Sequence, residues 1–155
     1  MKIGIIVYSH TGNTQSVAAK LQEKLAAAGH SVEMQRVVPA EGVKPGQRNP
    51  PLETRPAVDA YEAVIFGSPV QAFSLAQVMD AYLSQLESLA GKKVALLVTE
   101  AFPYPWMGGN RAVSRMKKLA ASKGAEVLGS GVVNWSRRDR EQRISQVVDS
   151  LSALF

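Results

Sequence analysis

The sequence predicts a three-layer α/β fold, a mainly parallel five-stranded sheet with helices on both faces, and three observations lead to it. Strand and helix patterns alternate along the chain. Three of the helical stripes end at a glycine. The runs Ile3–Val7, Ala63–Phe66 and Val94–Val98 are almost continuously apolar. Alternation of this kind builds right-handed βαβ units, and a strand that is apolar on both faces is one buried between two helical layers.

Taken in order, Ile3-Gly4-Ile5-Ile6-Val7-Tyr8 is the first strand, and a helix begins near Gln15. Val17, Ala18, Leu21, Leu25 and Ala28 recur at helical spacing, with Lys20, Glu23 and Lys24 off that stripe. Gly29 stops the helix, because glycine accepts the left-handed conformation just past a helix end. Val32 to Val38 reads as the second strand. From Pro39 to Asp59 five prolines and few apolar residues predict a long extended surface connection, uncommon inside a compact domain. Ala63–Phe66 is the third strand. Leu75, Val78, Met79, Tyr82, Leu83 and Leu86 form the second helical stripe, closed by Gly91, and Val94–Val98 is the fourth strand. Ala112, Val113, Met116, Leu119 and Ala120 form the third stripe, closed by Gly124, and Val127–Val133 is the last strand. Ile144, Val147, Val148, Leu151 and Leu154 mark the final helix. With 155 residues, near the usual size of one domain, residues 1–155 are expected to form a single unit.

The stretch between the first strand and the first helix carries the chemistry. Ser9-His10-Thr11-Gly12-Asn13-Thr14 joins a buried strand to a helix whose first N–H groups lack partners. Hydroxyls at Ser9, Thr11 and Thr14 can donate hydrogen bonds, Gly12 lets the backbone approach a ligand, and the helix start adds its positive dipole end. The expected ligand group is a phosphate. No G-x-G-x-x-G marks a dinucleotide turn and no G-x-x-x-x-G-K-[ST] marks a triphosphate loop. The turn holds no Lys or Arg. It resembles the phosphate loop of the flavodoxin family, in which hydroxyls and backbone amides around Thr-Gly-Asn-Thr hold the 5′-phosphate of flavin mononucleotide (FMN). A capped helix start without a ligand is the plain alternative.

The resemblance implies a flavodoxin-like three-layer sandwich with strand order 2-1-3-4-5, and in such sheets ligands bind beyond the carboxyl ends of the strands at the switch point. The loops after the third and fourth strands, Gly67–Phe73 and Thr99–Asn110, should therefore meet the phosphate loop. They hold Phe73, Phe102, Tyr104 and Trp106, the apolar cover that a flat isoalloxazine ring needs. Carried over by resemblance, Ser9, His10, Thr11, Gly12, Asn13 and Thr14 would hold the phosphate. Ser68, Pro69, Val70, Gln71, Ala72 and Phe73, with Thr99, Glu100, Ala101, Phe102, Tyr104, Trp106, Gly108 and Gly109, would contact the ribityl chain and the ring. Taken singly, each aromatic also reads as a structural plug. His10 reads equally as a phosphate donor and as an exposed turn residue, and Glu100 as a loop carboxylate paired with Arg111 or with solvent. No catalytic residue and no metal ligand is assigned.

Composition narrows the classes. An apolar fraction of 46% and a charged fraction of 20% are those of a soluble globular protein, and a start that runs straight into a strand makes a cytoplasmic location the default expectation. The absence of cysteine removes disulfides, thiolate metal sites and the nucleophile of a low-molecular-weight phosphatase. Ser9-His10 and Gly67-Ser68 stand where a response-regulator receiver needs acidic residues. The net charge of +5 steers toward acidic partners, among them nucleic acid, anionic membrane surfaces and an acidic redox partner protein, and does not choose among them. The densest basic group, Arg137, Arg138, Arg140 and Arg143 with Asp139 and Glu141, reads as a solvated helix face with local ion pairs and without interleaved aromatics, so no nucleic acid is expected. Two features depart from the flavodoxin pattern: flavodoxins are typically acidic, and many carry a second-loop glycine whose peptide turns to face the reduced flavin. Pro69–Phe73 holds no glycine, so that turn costs more here. Three functions follow in order: an electron-transfer flavoprotein, an FMN-dependent NAD(P)H:quinone-type oxidoreductase, and a flavin-free binding module.

Overall fold

The computed structural model describes residues 1–155, apart from the side chain of Pro105. The parallel strands are β1 (Lys2–Val7), β2 (Ser31–Arg36), β5 (Ala63–Gln71), β7 (Lys93–Glu100) and β8 (Glu126–Asn134), and the helices are α1 (Asn13–Ala27), α2 (Gln77–Gln85), α3 (Gly109–Ser122) and α4 (Arg140–Ser152). Three short strands complete the set: β3 (Val38–Pro39), β4 (Leu52–Thr54) and β6 (Ser74–Leu75). The main sheet runs β2-β1-β5-β7-β8. Counting the five parallel strands alone, that is 2-1-3-4-5, the flavodoxin-like order. All four of its neighbouring pairs are parallel.

Period-two alternation along the strands divides the core between the two faces. Ile3, Ile5 and Val7 pack with Val17, Leu21 and Leu25 of α1 and with Ile144, Val147 and Leu151 of α4. Ile6, Val64, Phe66 and Leu96 face Met79, Tyr82 and Leu83 of α2 and Met116 of α3. Each such side chain, fully buried, contributes about 1.5–3 kcal/mol. Gly4 is required by one of these contacts: a Cβ there would stand 2.5 Å from the Tyr61 ring.

Five expectations change. The third strand does not end at Phe66: β5 runs on through Gly67, Ser68, Pro69 and Val70 to Gln71, then folds back antiparallel onto β6. What reads as a loop is therefore a strand extension with a tight turn at Ala72-Phe73. The proline-rich connection is not simply extended, because β3 and β4 pair antiparallel across it and the Ala40 N–H bonds the Pro51 carbonyl at 2.9 Å. The second strand stops at Arg36, and α1 starts at Asn13, two residues before the first stripe residues suggest. Arg137 and Arg138 precede α4, so the basic group lies half on a turn; Arg137 pairs with Asp139, and the Arg140 guanidinium sits 4.8 Å over the Trp135 ring. Among the described residues no helix is long and apolar enough to cross a membrane.

Candidate functional site

The carboxyl ends of β1, β5 and β7 lie side by side, so their following segments share one edge of the sheet. After β1, the buried Ser9 side chain turns back on its own loop: its Oγ accepts the Gly12 N–H at 3.1 Å and the Gln15 N–H at 3.3 Å. Gly12 has φ +93°, in the left-handed region that glycine enters without a Cβ penalty, and the space a Cβ would take there is open to 4 Å. The N–H groups of Asn13 and Thr14 have no acceptor among the described residues. They stand at the positive end of α1, whose first turn carries no acidic residue. His10 and Thr11 are exposed at the tip of this turn.

Thr14 takes a second role. Its Oγ1 meets Thr99 Oγ1 at 2.7 Å, with both residues buried, so the Ser9–Thr14 turn is bolted to the end of β7. Thr99 and Ser68 are fully buried, and the Ser68 hydroxyl donates to the Pro69 carbonyl at 3.1 Å. Pro69, Val70 and Gln71 are half-buried, and Gln71 reaches the Tyr8 hydroxyl at 3.4 Å, which joins the second segment to the first.

Ala72 and Phe73 form the turn between β5 and β6, with φ of 51° and 60°. Two non-glycine residues in the left-handed region cost on the order of 1–3 kcal/mol each, and such strain gathers where a backbone serves a site. The Phe73 ring stacks on Phe102 at 5.0 Å and 11°, and Tyr104 stacks on Trp106 at 5.6 Å and 6°. All four are exposed, Trp106 to 72%, so large apolar rings face solvent together at this edge. Gly108, with φ +123°, lets the third segment pass against the second: a Cβ would stand 2.8 Å from Val70 and 3.0 Å from the Phe73 backbone. A hollow of about 290 Å³ lies between Phe73, Trp106, Met107, Gly108 and Arg111.

Glu100 is corrected most. Its carboxylate is buried and is paired neither with Arg111 nor with solvent. It is 3% exposed, accepts the Gly109 N–H at 3.1 Å and accepts from Asn134 Nδ2 at 2.6 Å. Burial pushes its pKa above the ordinary carboxyl value, and the hydrogen bonds from Asn134 and Gly109 oppose that rise. Ala101 is exposed at the start of the segment.

Sequence reasoning missed two residues. Arg36, the last residue of β2, brings Nη2 to 3.5 Å from the Ser9 carbonyl, so a cation does stand beside the Ser9–Thr14 turn. Its signal lay in the strand order, since the end of the second strand must flank the first. Asn134, the last residue of β8, gave no motif.

Neutral donors and open space over Gly12, next to exposed flat apolar rings, fit a phosphate monoester joined to a planar ring, as in FMN. Fold and site together define a flavodoxin-like FMN-binding protein. Residues 1–139 match the model of the NADPH-dependent FMN reductase family. The chain belongs to that family, and FMN is its flavin. Among solved structures it is similar to Flavodoxin 2 of Bacillus cereus, at 22% identity and TM-score 0.68 over 100% of both chains. It is likewise similar to the flavodoxin of Streptococcus pneumoniae TIGR4, at 19% and 0.67 over 100% of both. A third is the Trp repressor binding protein of Bacillus subtilis, at 15% and 0.63, also over 100% of both chains. At these identities the likeness is one of fold.

Proposed function

We propose that this chain is an FMN-dependent oxidoreductase that takes reducing equivalents from NADPH, two electrons at a time, and passes them to a small acceptor of the quinone type. The observation that carries this reading is the Ala72-Phe73 turn. Both residues lie in the left-handed region between paired β5 and β6, with no glycine to let their peptide reverse cheaply. A flavin site whose neighbouring peptide is pinned is poorly suited to following a one-electron change, and membership of the NADPH-dependent FMN reductase family points the same way.

When bound, FMN supplies the hydride and electron chemistry. The chain's own part is to hold and orient. The N–H groups of Asn13 and Thr14, with the hydroxyls of Ser9 and Thr11, would hold the phosphate, and Arg36 would add positive potential beside it. Phe73 and Phe102 would give the ring an apolar face, while the exposed Trp106 leaves flat apolar surface for a second planar reactant. A second reading is an electron carrier for an acidic partner protein. It draws on the exposed aromatic rim beside Arg111 and on Arg137, whose Nη1 reaches the Pro103 carbonyl at 3.4 Å.

Anaerobic mixing of the FMN-loaded protein with NADPH tests the proposal. The expected result is bleaching of the flavin much faster than for free FMN, straight to the fully reduced form. A rate no faster than that of free FMN would discard the reductase. Slow reaction with NADPH, together with a long-lived one-electron form on chemical reduction, would put the carrier in its place.

A further inference from the structure

Glu100 is the only carboxylate in the sequence of the three segments that converge on the site, and it is buried with no cation paired to it among the described residues. A buried carboxylate is costly unless its lone pairs are filled. Here one oxygen takes the Gly109 N–H, at the start of α3, and the other takes Asn134 Nδ2, at the end of β8. The same Nδ2 donates to the Phe102 carbonyl at 3.0 Å. The Trp135 N–H closes the group on the Glu100 carbonyl at 2.7 Å. Gly109 must lack a side chain for this, since a Cβ would stand 2.7 Å from Glu100 Oε1.

Both hydrogens of the Asn134 amide are therefore committed, one to Glu100 and one to the backbone of the ring-bearing residue Phe102. The carboxylate selects that orientation, because two acceptors facing one NH₂ leave the amide a single way to sit. We propose that Glu100 is a positioning residue of the flavin site: through Asn134 and the Gly109 amide it fixes the Phe102 carbonyl and the Gly108–Gly109 turn, and so sets where the Phe102 ring stands. The assignment rests on the reading that a flavin ring lies against Phe102.

Glu100→Gln isolates the link at nearly constant volume. Its Oε1 still accepts from Gly109, while its NH₂ faces Asn134, which must turn its own oxygen toward it. The 100–134 bond survives that flip, and the Phe102 carbonyl loses its donor. Asn134→Ala removes the same donor directly. FMN titration by fluorescence quenching, circular dichroism of the bound flavin and thermal unfolding of the apoprotein are measured on the wild type, both variants and the double variant.

Each single variant is expected to weaken FMN binding by about three- to tenfold, the effect of one hydrogen bond, and to change the dichroism of the bound flavin. The double variant is expected to bind no more weakly than Asn134→Ala, since both act through one contact. Lower thermal stability with unchanged affinity and dichroism would overturn the assignment, as would losses that multiply in the double variant. Failure of the wild type to bind FMN would overturn the flavin reading and this assignment with it.

Discussion

Thr14 and Thr99 lie 85 residues apart in sequence, yet their hydroxyls meet at 2.7 Å with exposures of 1% and 2%. Thr14→Val keeps the shape of the side chain and leaves the Thr99 hydroxyl buried without its partner, and Thr99→Val does the converse. Stranding one buried hydroxyl costs about 1–3 kcal/mol, whereas replacing both partners by apolar groups of the same shape is close to neutral. Each single variant should therefore lose about 1–3 kcal/mol, and the double variant should recover most of it, a coupling far outside the additive range of independent sites. Urea unfolding of the apoprotein measures this directly, and each kcal/mol corresponds to about 2–4 °C of melting temperature at this chain length. If the double variant loses the sum of the singles, the two hydroxyls are satisfied separately and the bolt between the Ser9–Thr14 turn and β7 does not exist. FMN affinity of the double variant adds a second result. The amide of residue 14 survives the change to valine, so a large loss of affinity would mean that the Thr14 hydroxyl accepts from Thr99 and donates to the phosphate.

Four further outcomes are expected. Ala72→Gly removes a left-handed non-glycine residue, worth on the order of 1–3 kcal/mol of strain against about 0.5–1 kcal/mol of added chain entropy. It should raise stability in urea unfolding and make a one-electron form visible in a stepwise reductive titration; no change in either would remove the turn from the account of two-electron chemistry. Arg36→Gln should weaken FMN binding by about fivefold, equivalent to about 1 kcal/mol, and flatten its dependence on salt, as isothermal titration at two ionic strengths would report. Gly4→Ala drives a methyl into the Tyr61 ring, 2.5 Å away; overpacking of this kind costs about 1–3 kcal/mol, readable as a lower urea midpoint with FMN affinity preserved. The fourth concerns pH. Burial holds the Glu100 carboxyl above its ordinary 4.5, so the folded chain binds that proton more tightly than the unfolded chain does. Its contribution is therefore most favourable at low pH and falls as pH rises from about 4.5 through the raised folded value. Unfolding free energies measured across that window should slope downward less in Glu100→Gln than in the wild type, and an unchanged slope would assign the titration elsewhere.

The parts of this protein legible in one dimension are those set by neighbours in the chain. Continuous apolar runs at Ile3–Val7, Ala63–Phe66 and Val94–Val98 mark buried parallel strands because both faces must be covered. Ser9–Thr14 marks a strand-to-helix turn because a strand, a glycine and a helix start suffice to make one. The aromatic content of the Phe73 and Phe102–Trp106 segments was readable for the same reason, while the strand order that brings them together came from the resemblance to the flavodoxin family. The extension of β5 was not: Gly67, Ser68 and Pro69 are turn formers by composition, and pairing with β6 and β7 overrides that preference. The Ala72-Phe73 turn carries no Asn-Gly or Asp-Gly signal, since its left-handed residues are held by the hairpin on either side. Arg36, Asn134 and the buried Glu100 are joined to these segments only through contacts between residues more than 25 positions apart. Sequence alone determined the layers and the glycine turn between the first strand and the first helix, because these follow from periodicity and local backbone chemistry. The tertiary structure decided which polar groups are spent on one another and which are left for a ligand, because burial and hydrogen-bond partnership are properties of the packed chain.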